Sequence, residues 1–185
     1  MVIRASVHVE PHGVRATARH YIRDLVYGAN DGITTTFAVV AGVAGGNLSA
    51  AAALVVGVAN LAADGLSMGV GNVLAIRANE SAREADNLPE EEAHPWRHGI
   101  ATFAAFVGAG SVPLVPYLMA LPGSTAFVTS SLLTLLSLFA VGAARGAVTS
   151  GRWIRAGLEM LALGALVASA AYAGGALVAS FTGQW

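Results

Sequence analysis

The sequence contains no cysteine and no lysine; all ten of its basic residues are arginine. Without cysteine there is no disulfide framework, no thiolate metal site and no cysteine nucleophile. Without lysine there is no Schiff-base chemistry and no P-loop. Charge of either sign is scarce: 11% of the 185 residues are charged, against about 25% in a typical soluble domain. The ten arginines and eleven acidic residues leave a net charge of −1. That balance offers no basic field for nucleic acid and no acidic tail to keep a segment disordered. Apolar residues are plentiful, at 55% of the chain, and mean hydropathy is +0.63. A soluble globular domain is a poor fit, and the chain reads as a small all-α integral membrane protein.

The few charges mark where the chain leaves the bilayer. None occurs between Asp31 and Asp64, and Gly45-Gly46-Asn47 interrupts that run with a turn signal. None occurs between Arg97 and Arg145, a run broken at Leu121-Pro122-Gly123, and Glu159 is the only charge between Arg155 and Trp185. A spanning helix takes about 20 mostly apolar residues. The pattern therefore predicts two helical hairpins and a last single span, five transmembrane helices over residues 25–44, 50–76, 98–119, 125–145 and 153–179.

Every arginine falls on one side of this scheme. Arg4, Arg15, Arg19 and Arg23 precede the first helix; Arg77, Arg83 and Arg97 lie between the second and third; Arg145, Arg152 and Arg155 lie between the fourth and fifth. The positive-inside rule makes that side the cytoplasm, so the N-terminus is cytoplasmic and the C-terminus outside. Residues 1–24 are expected to form a cytoplasmic amphipathic segment, too polar for a secretory signal, and 25–180 a transmembrane domain with a short cytoplasmic loop at 77–97. Arg15, Arg19 and Arg23 share one helical face, which suits anionic headgroups or simply water.

The informative residues are the ionisable ones inside the spans, since each costs about 2.5–3.5 kcal/mol at a helix centre. Asp31 lies about two turns into the first helix, Asp64 near the middle of the second and Glu159 near the start of the fifth. Asp31 and Glu159 are close enough to an interface to lean toward arginines such as Arg23 and Arg155. Asp64 has no such exit and is either functional or a protonated hydrogen-bonding group. Asn60, Asp64, Ser67/Met68 and Gly71 make one stripe on the second helix, and Asp31, Thr34/Thr35, Ala38 and Gly42 make one on the first. Paired, the stripes would line a pathway that includes Asn60, Thr35 and Ser67. Antiparallel geometry predicts Met68 level with Asp31 and Asp64 one turn deeper. Thioether plus carboxylate suits a borderline divalent transition metal better than Mg²⁺ or Ca²⁺, although a lone membrane methionine is usually filler.

Three further features accompany these. Gly28/Gly32, Gly65/Gly69 and Gly142/Gly146 have the spacing of closely packed helices. Pro113 and Pro116 predict a kinked third helix whose freed carbonyls need partners. In the 77–97 loop and just beyond it, Glu90, Glu91 and Glu92 with His94 and His98 offer oxygen and imidazole ligands for capturing a cation, or a merely solvated acidic run.

Tyr27-Gly28-Ala29-Asn30-Asp31-Gly32, Asn60 through Gly69, Pro113-Leu114-Val115-Pro116-Tyr117 and Gly157-Leu158-Glu159-Met160-Leu161 together resemble the vacuolar iron transporter family over about residues 20–180. The resemblance implies a five-helix homodimer that moves Fe²⁺, and often Mn²⁺, out of the cytosol in exchange for protons. It places metal ligands at Asp31 and Met68. Two departures stand out: the family's second-helix glutamate is Asn60 here, with Asp64 supplying a carboxylate one turn nearer Met68, and the long cytosolic metal-binding domain of many members is reduced to a short loop. The chain looks like a short, bacterial-type member.

The expectation is thus a divalent metal/proton antiporter, not an enzyme, embedded as a homodimer in the lipid bilayer of the cell's inner membrane. Its partners are metal ions and protons, with no nucleic acid and no permanently bound cofactor. Asp31 and Met68 would form the metal site, with Asp64 and Glu159 as further ligands or proton carriers. The competing readings are a scaffold or metal sensor that transports nothing, and an intramembrane aspartyl protease. The Ala62-Ala63-Asp64-Gly65 context disfavours the protease.

Overall fold

The computed structural model describes residues 6–149 and 151–183; Arg4, counted above among the arginines before the first span, lies outside them. The elements are α1 (Val14–Gly45), α2 (Ala50–Ala85), α3 (Pro95–Gly110), a 3-10 turn (Val112–Leu114), α4 (Val115–Leu118), α5 (Gly123–Val148) and α6 (Trp153–Thr182). No strand occurs among the described residues, only an isolated parallel bridge between Ser6 and Glu90.

Four stretches are long and apolar enough to cross a membrane: α2, the continuous Pro95–Leu118 segment, α5 and α6. The first helix falls below them because Asn30, Asp31 and Thr34 through Thr36 interrupt its apolar run. Packing explains why those residues are tolerated. Helix α1 touches α2, α3, α5 and α6, and it buries Asp24, Gly28, Ile33, Thr34, Thr36 and Phe37, among others. A helix enclosed by other helices needs less apolar surface than one facing lipid. The outer helix α6 shows the converse, with Leu163, Leu166, Leu177 and Phe181 exposed.

Close approach is built from glycine. A Cβ at Gly28 would run into the Thr102 carbonyl, and one at Gly32 into the Phe106 carbonyl, so α1 and α3 meet backbone to backbone. The Gly65/Gly69 and Gly142/Gly146 pairs lie at helix contacts as well, against α3 and α6 respectively. Next to these contacts Phe37, Val40, Leu61, Phe106, Leu114 and Tyr117 form the main apolar cluster.

The third span breaks where the prolines predict. Helix α3 stops at Gly110 and the chain passes through the 3-10 turn into α4. Two hydroxyls brace the break: Ser130 Oγ donates to the Pro113 carbonyl and Ser111 Oγ to the Val107 carbonyl, both at 2.6 Å, the latter carbonyl also accepting from the Ser111 backbone N–H.

Two helices outrun the expected spans. With 32 and 36 residues, α1 and α2 reach about 48 and 54 Å at about 1.5 Å per residue, well beyond a hydrocarbon core of about 30 Å. The N-terminal arginine face is the start of α1 itself. The connection expected over 77–97 is helical through Ala85 and resumes helix at Pro95. The overhanging, charged ends of α1, α2 and α3 carry a folded polar cap.

Candidate functional site

Side chains fix the α1–α2 register. Asn60 Nδ2 donates to Thr35 Oγ1 at 3.4 Å, and toward the charged end Asn72 Nδ2 donates to Asp24 Oδ1 at 2.8 Å. In this antiparallel register Asp64 falls beside Asp31, and the two carboxylates are near enough to repel one another. The expected levels therefore need correction. Asp64, not Met68, is level with Asp31, and Met68 sits one turn toward Asn72, the register that the Asn60–Thr35 and Asn72–Asp24 contacts mark.

Asp31, Thr35, Asn60, Asp64 and Met68 are half-buried, whereas Ser67 is exposed. Met68 packs against the apolar cluster containing Leu61 and Phe106. The Asp31 backbone carbonyl accepts from the hydroxyls of Thr34 at 3.2 Å and Thr35 at 2.8 Å. Among the described residues, neither the Asp31 nor the Asp64 carboxylate has a hydrogen-bond or ion-pair partner. Two mutually repelling carboxylates with no donor, in helices of this polarity, are a ready receptor for a cation.

Glu159 is held elsewhere. Its Oε2 accepts from Arg145 and its Oε1 from Arg155, each at 3.1 Å, on an exposed stretch of α6. Both oxygens are committed to arginines, so the structure does not add Glu159 to the Asp31–Asp64 pair.

At the charged end the fold gathers residues far apart in sequence. His98, buried at the start of α3, is hydrogen-bonded through Nδ1 to Asp24 Oδ2. Asp24 is only 2% exposed, and Asn72 ties it to Thr102 through a second 2.8 Å bond. Across from Asp24, His98 Nε2 lies 2.9 Å from Glu92 Oε2, with His20 Nε2 at 3.5 Å from the same oxygen and His8 Nδ1 at 3.5 Å from Oε1. The loop that carries Glu92 is anchored by Glu80, which accepts from the backbone N–H groups of Glu91 and Glu92. Burial works to raise the Glu92 carboxyl, but the His94 backbone N–H and the His98 and His8 imidazoles outweigh it and hold the group below its ordinary value.

Of the five residues expected to capture a cation, the structure brings only Glu92 and His98 together. Glu91 pairs with Arg83 at 3.0 Å, His94 with Glu10 at 3.1 Å, and Glu90 contributes its carbonyl to Val7. Sequence reasoning missed His8, His20 and Asp24. The one available signal was spacing: His20, Asp24 and Asp31 stand at i, i+4 and i+11, on one face of a single helix.

These features define a polytopic α-helical membrane protein with a half-buried carboxylate pair between its first two long helices and a histidine- and glutamate-rich cap at one end. Residues 22–92 and 81–176 match the VIT family, and the chain belongs to that family. It is similar to vacuolar iron transporter 1 of Arabidopsis thaliana, at 28% identity over 89% of this chain and 88% of the relative. Vacuolar iron transporter 2 of Oryza sativa subsp. japonica is 27% identical over 89% of each chain. The vacuolar iron transporter of Toxoplasma gondii is 40% identical over a shorter stretch, 46% of this chain and 30% of its own. The 222 aligned positions shared with the plant proteins exceed this chain's 185 residues, so those relatives carry residues that it lacks.

Proposed function

We propose that the protein exports a divalent transition metal, Fe²⁺ and also Mn²⁺, from the cytosol in exchange for protons. The observation that carries this reading is the facing Asp31–Asp64 pair, whose charges have no partner among the described residues. A buried carboxylate resists ionisation, whereas an arriving divalent cation favours the ionised form. Metal and proton therefore compete for the same oxygens, and an inward proton gradient drives metal outward as access alternates around the fixed site. Met68, one turn toward the charged end, offers a soft thioether on the approach and biases the path against Mg²⁺ and Ca²⁺. Asn60, Thr35 and Ser67 continue the polar line.

In this reading α1 spans the membrane together with the four apolar helices that flank it, making five spans. Arg23 and Arg145 line one cavity, which puts the arginines of the N-terminal segment and of the α5–α6 connection at a common end. By the positive-inside rule that end is cytoplasmic, leaving the C-terminus outside. Half-exposed carboxylates in an apolar band are costly against lipid, and a second copy of the chain covering the α1–α2 stripe removes that cost, so the transporter works as a homodimer in the cytoplasmic membrane. Glu159, clamped by Arg145 and Arg155, tunes proton exchange at the mouth. The names of the relatives favour transport over a scaffold or a protease.

The test is flux. Proteoliposomes containing the protein should take up Fe²⁺ or Mn²⁺ when a pH gradient is imposed and should move protons the opposite way. Metal movement with no proton movement leaves a uniporter, and no metal movement at all rejects the reading.

A further inference from the structure

We infer that the polar cap holds a second transition-metal site, made by His20, Glu92 and His98 and separate from the carboxylate pair within the helices. The ligand atoms of these three residues all lie within 4.8 Å of one another. An ion bound at about 2.0–2.2 Å to each fits that spacing after small side-chain adjustments. His20 lies eleven residues before Asp31 on α1, about 16 Å along the helix, so the two sites do not share ligands.

The hydrogen bonding around His98 points to a cation. Asp24 accepts at Nδ1 and thereby sets the imidazole so that Nε2 faces the cluster. Although Glu92 Oε2 is 2.9 Å away, Nε2 makes no aligned hydrogen bond, and it is buried. The His98 side chain is only 7% exposed. His8, with an 8% exposed side chain, turns Nδ1 toward Glu92 and leaves a buried, unsatisfied Nε2 3.6 Å from Glu10 Oε1. A lone pair aimed at a carboxylate is repulsive unless a proton or a metal ion lies between them. Carboxylate behind, imidazole between and metal in front is the arrangement that fixes a histidine ligand's tautomer and raises its basicity. The site opens into a cavity of about 540 Å³, lined in part by His8, His20, Asp24 and Glu92, which leaves room for water in the remaining coordination positions.

Two imidazoles and one carboxylate with open positions suit Fe²⁺, Co²⁺ or Zn²⁺ and disfavour Mg²⁺ and Ca²⁺, which prefer all-oxygen ligands. Asp24 is a positioning residue, acting through His98. From the cap, Asp24 and Asn72 continue on the helix faces that carry Asp31 and Asp64, so an ion released here enters the polar line of the helix pair.

Metal binding at this site does not depend on the antiport reading, and the experiment keeps the two apart. The full-length protein carrying Asp31→Ala and Asp64→Ala, stripped with chelator in detergent, is titrated with Co²⁺ and followed by calorimetry and visible absorption. One Co²⁺ per chain with an imidazole–cobalt band is expected in that background. His20→Ala and Glu92→Gln should each abolish the band, Asp24→Asn should weaken binding by about 10–100-fold, and Glu90→Gln should change nothing. Should His98→Ala fail to fold, His20→Ala carries the test, since its side chain is partly exposed and outside the Asp24 network. Absence of Co²⁺ binding in the Asp31→Ala/Asp64→Ala protein, or an unchanged band in both His20→Ala and Glu92→Gln, overturns the site.

Discussion

Replacing Asp64 with asparagine preserves side-chain volume and removes one of two unpartnered, mutually repelling carboxylates. A carboxylate at a span centre costs about 2.5–3.5 kcal/mol on insertion scales. Asparagine keeps some polarity, so only part of that cost is recovered. Asp64→Asn should therefore stabilise the folded protein, by about 1–2 kcal/mol, or roughly 2–8 °C in Tm for a chain of this size. Metal transport should be lost in the same variant, because the remaining single carboxylate neither offsets a divalent charge nor releases a second proton. Asp31→Asn should behave alike, since the two are level. Stability is read by circular dichroism of the protein in lipid nanodiscs, and transport by Mn²⁺ entry into proteoliposomes loaded with a metal-sensitive dye. The pairing of gained stability with lost function is the signature of a residue kept for chemistry. An Asp64→Asn variant that transports like the parent refutes the reasoning, and so does one destabilised by 1 kcal/mol or more on this order-of-magnitude scale, which would make Asp64 a structural hydrogen-bonding residue.

Gly32→Val should abolish assembly of the bundle, because its side chain would meet the Phe106 backbone; the check is loss of a monodisperse peak in size-exclusion chromatography, while Gly174→Val, on α6 where a Cβ meets open space, elutes like the parent. Glu159→Gln should leave metal transport standing but flatten its pH dependence, measured as uptake rates across a pH series; an unchanged profile removes Glu159 from proton exchange. Since Glu92 titrates below its ordinary value of 4.5, its ionised form contributes stability above that pH, and the contribution disappears as pH falls through the lower folded value. In metal-stripped protein Glu92→Gln should thus weaken hydrogen-exchange protection of the 86–94 loop near neutral pH, and the difference from the parent should close as the pH falls through that lowered value.

Much of the architecture was legible in the order of residues. Within a bilayer an uncharged run of about 20 residues satisfies its own backbone groups as a helix, so the α2, α5 and α6 spans follow from composition. Pro113 and Pro116 had to interrupt the third span, because proline lacks the N–H that a helix needs. Asp31 and Asp64 stand out for the same kind of reason, as charges where charge is expensive. The relative level of two helices is another matter. Periodicity says which face a residue occupies, but sliding α2 by one turn preserves every face, and the register is chosen by contacts between helices: the seats of Gly28 and Gly65 on α3, and Asn60–Thr35 and Asn72–Asp24 between α1 and α2. The central place of α1 was likewise hidden: its low hydropathy reads as weakness until the surrounding helices are seen to enclose it. The cap was least visible of all. Asp24 reads as one more interfacial charge and His20 as one more polar residue of an amphipathic segment, because their partners His98 and Glu92 lie more than seventy positions away. Sequence spacing reports neighbours along one helix, whereas this cluster exists only where the ends of α1, α2 and α3 are packed together.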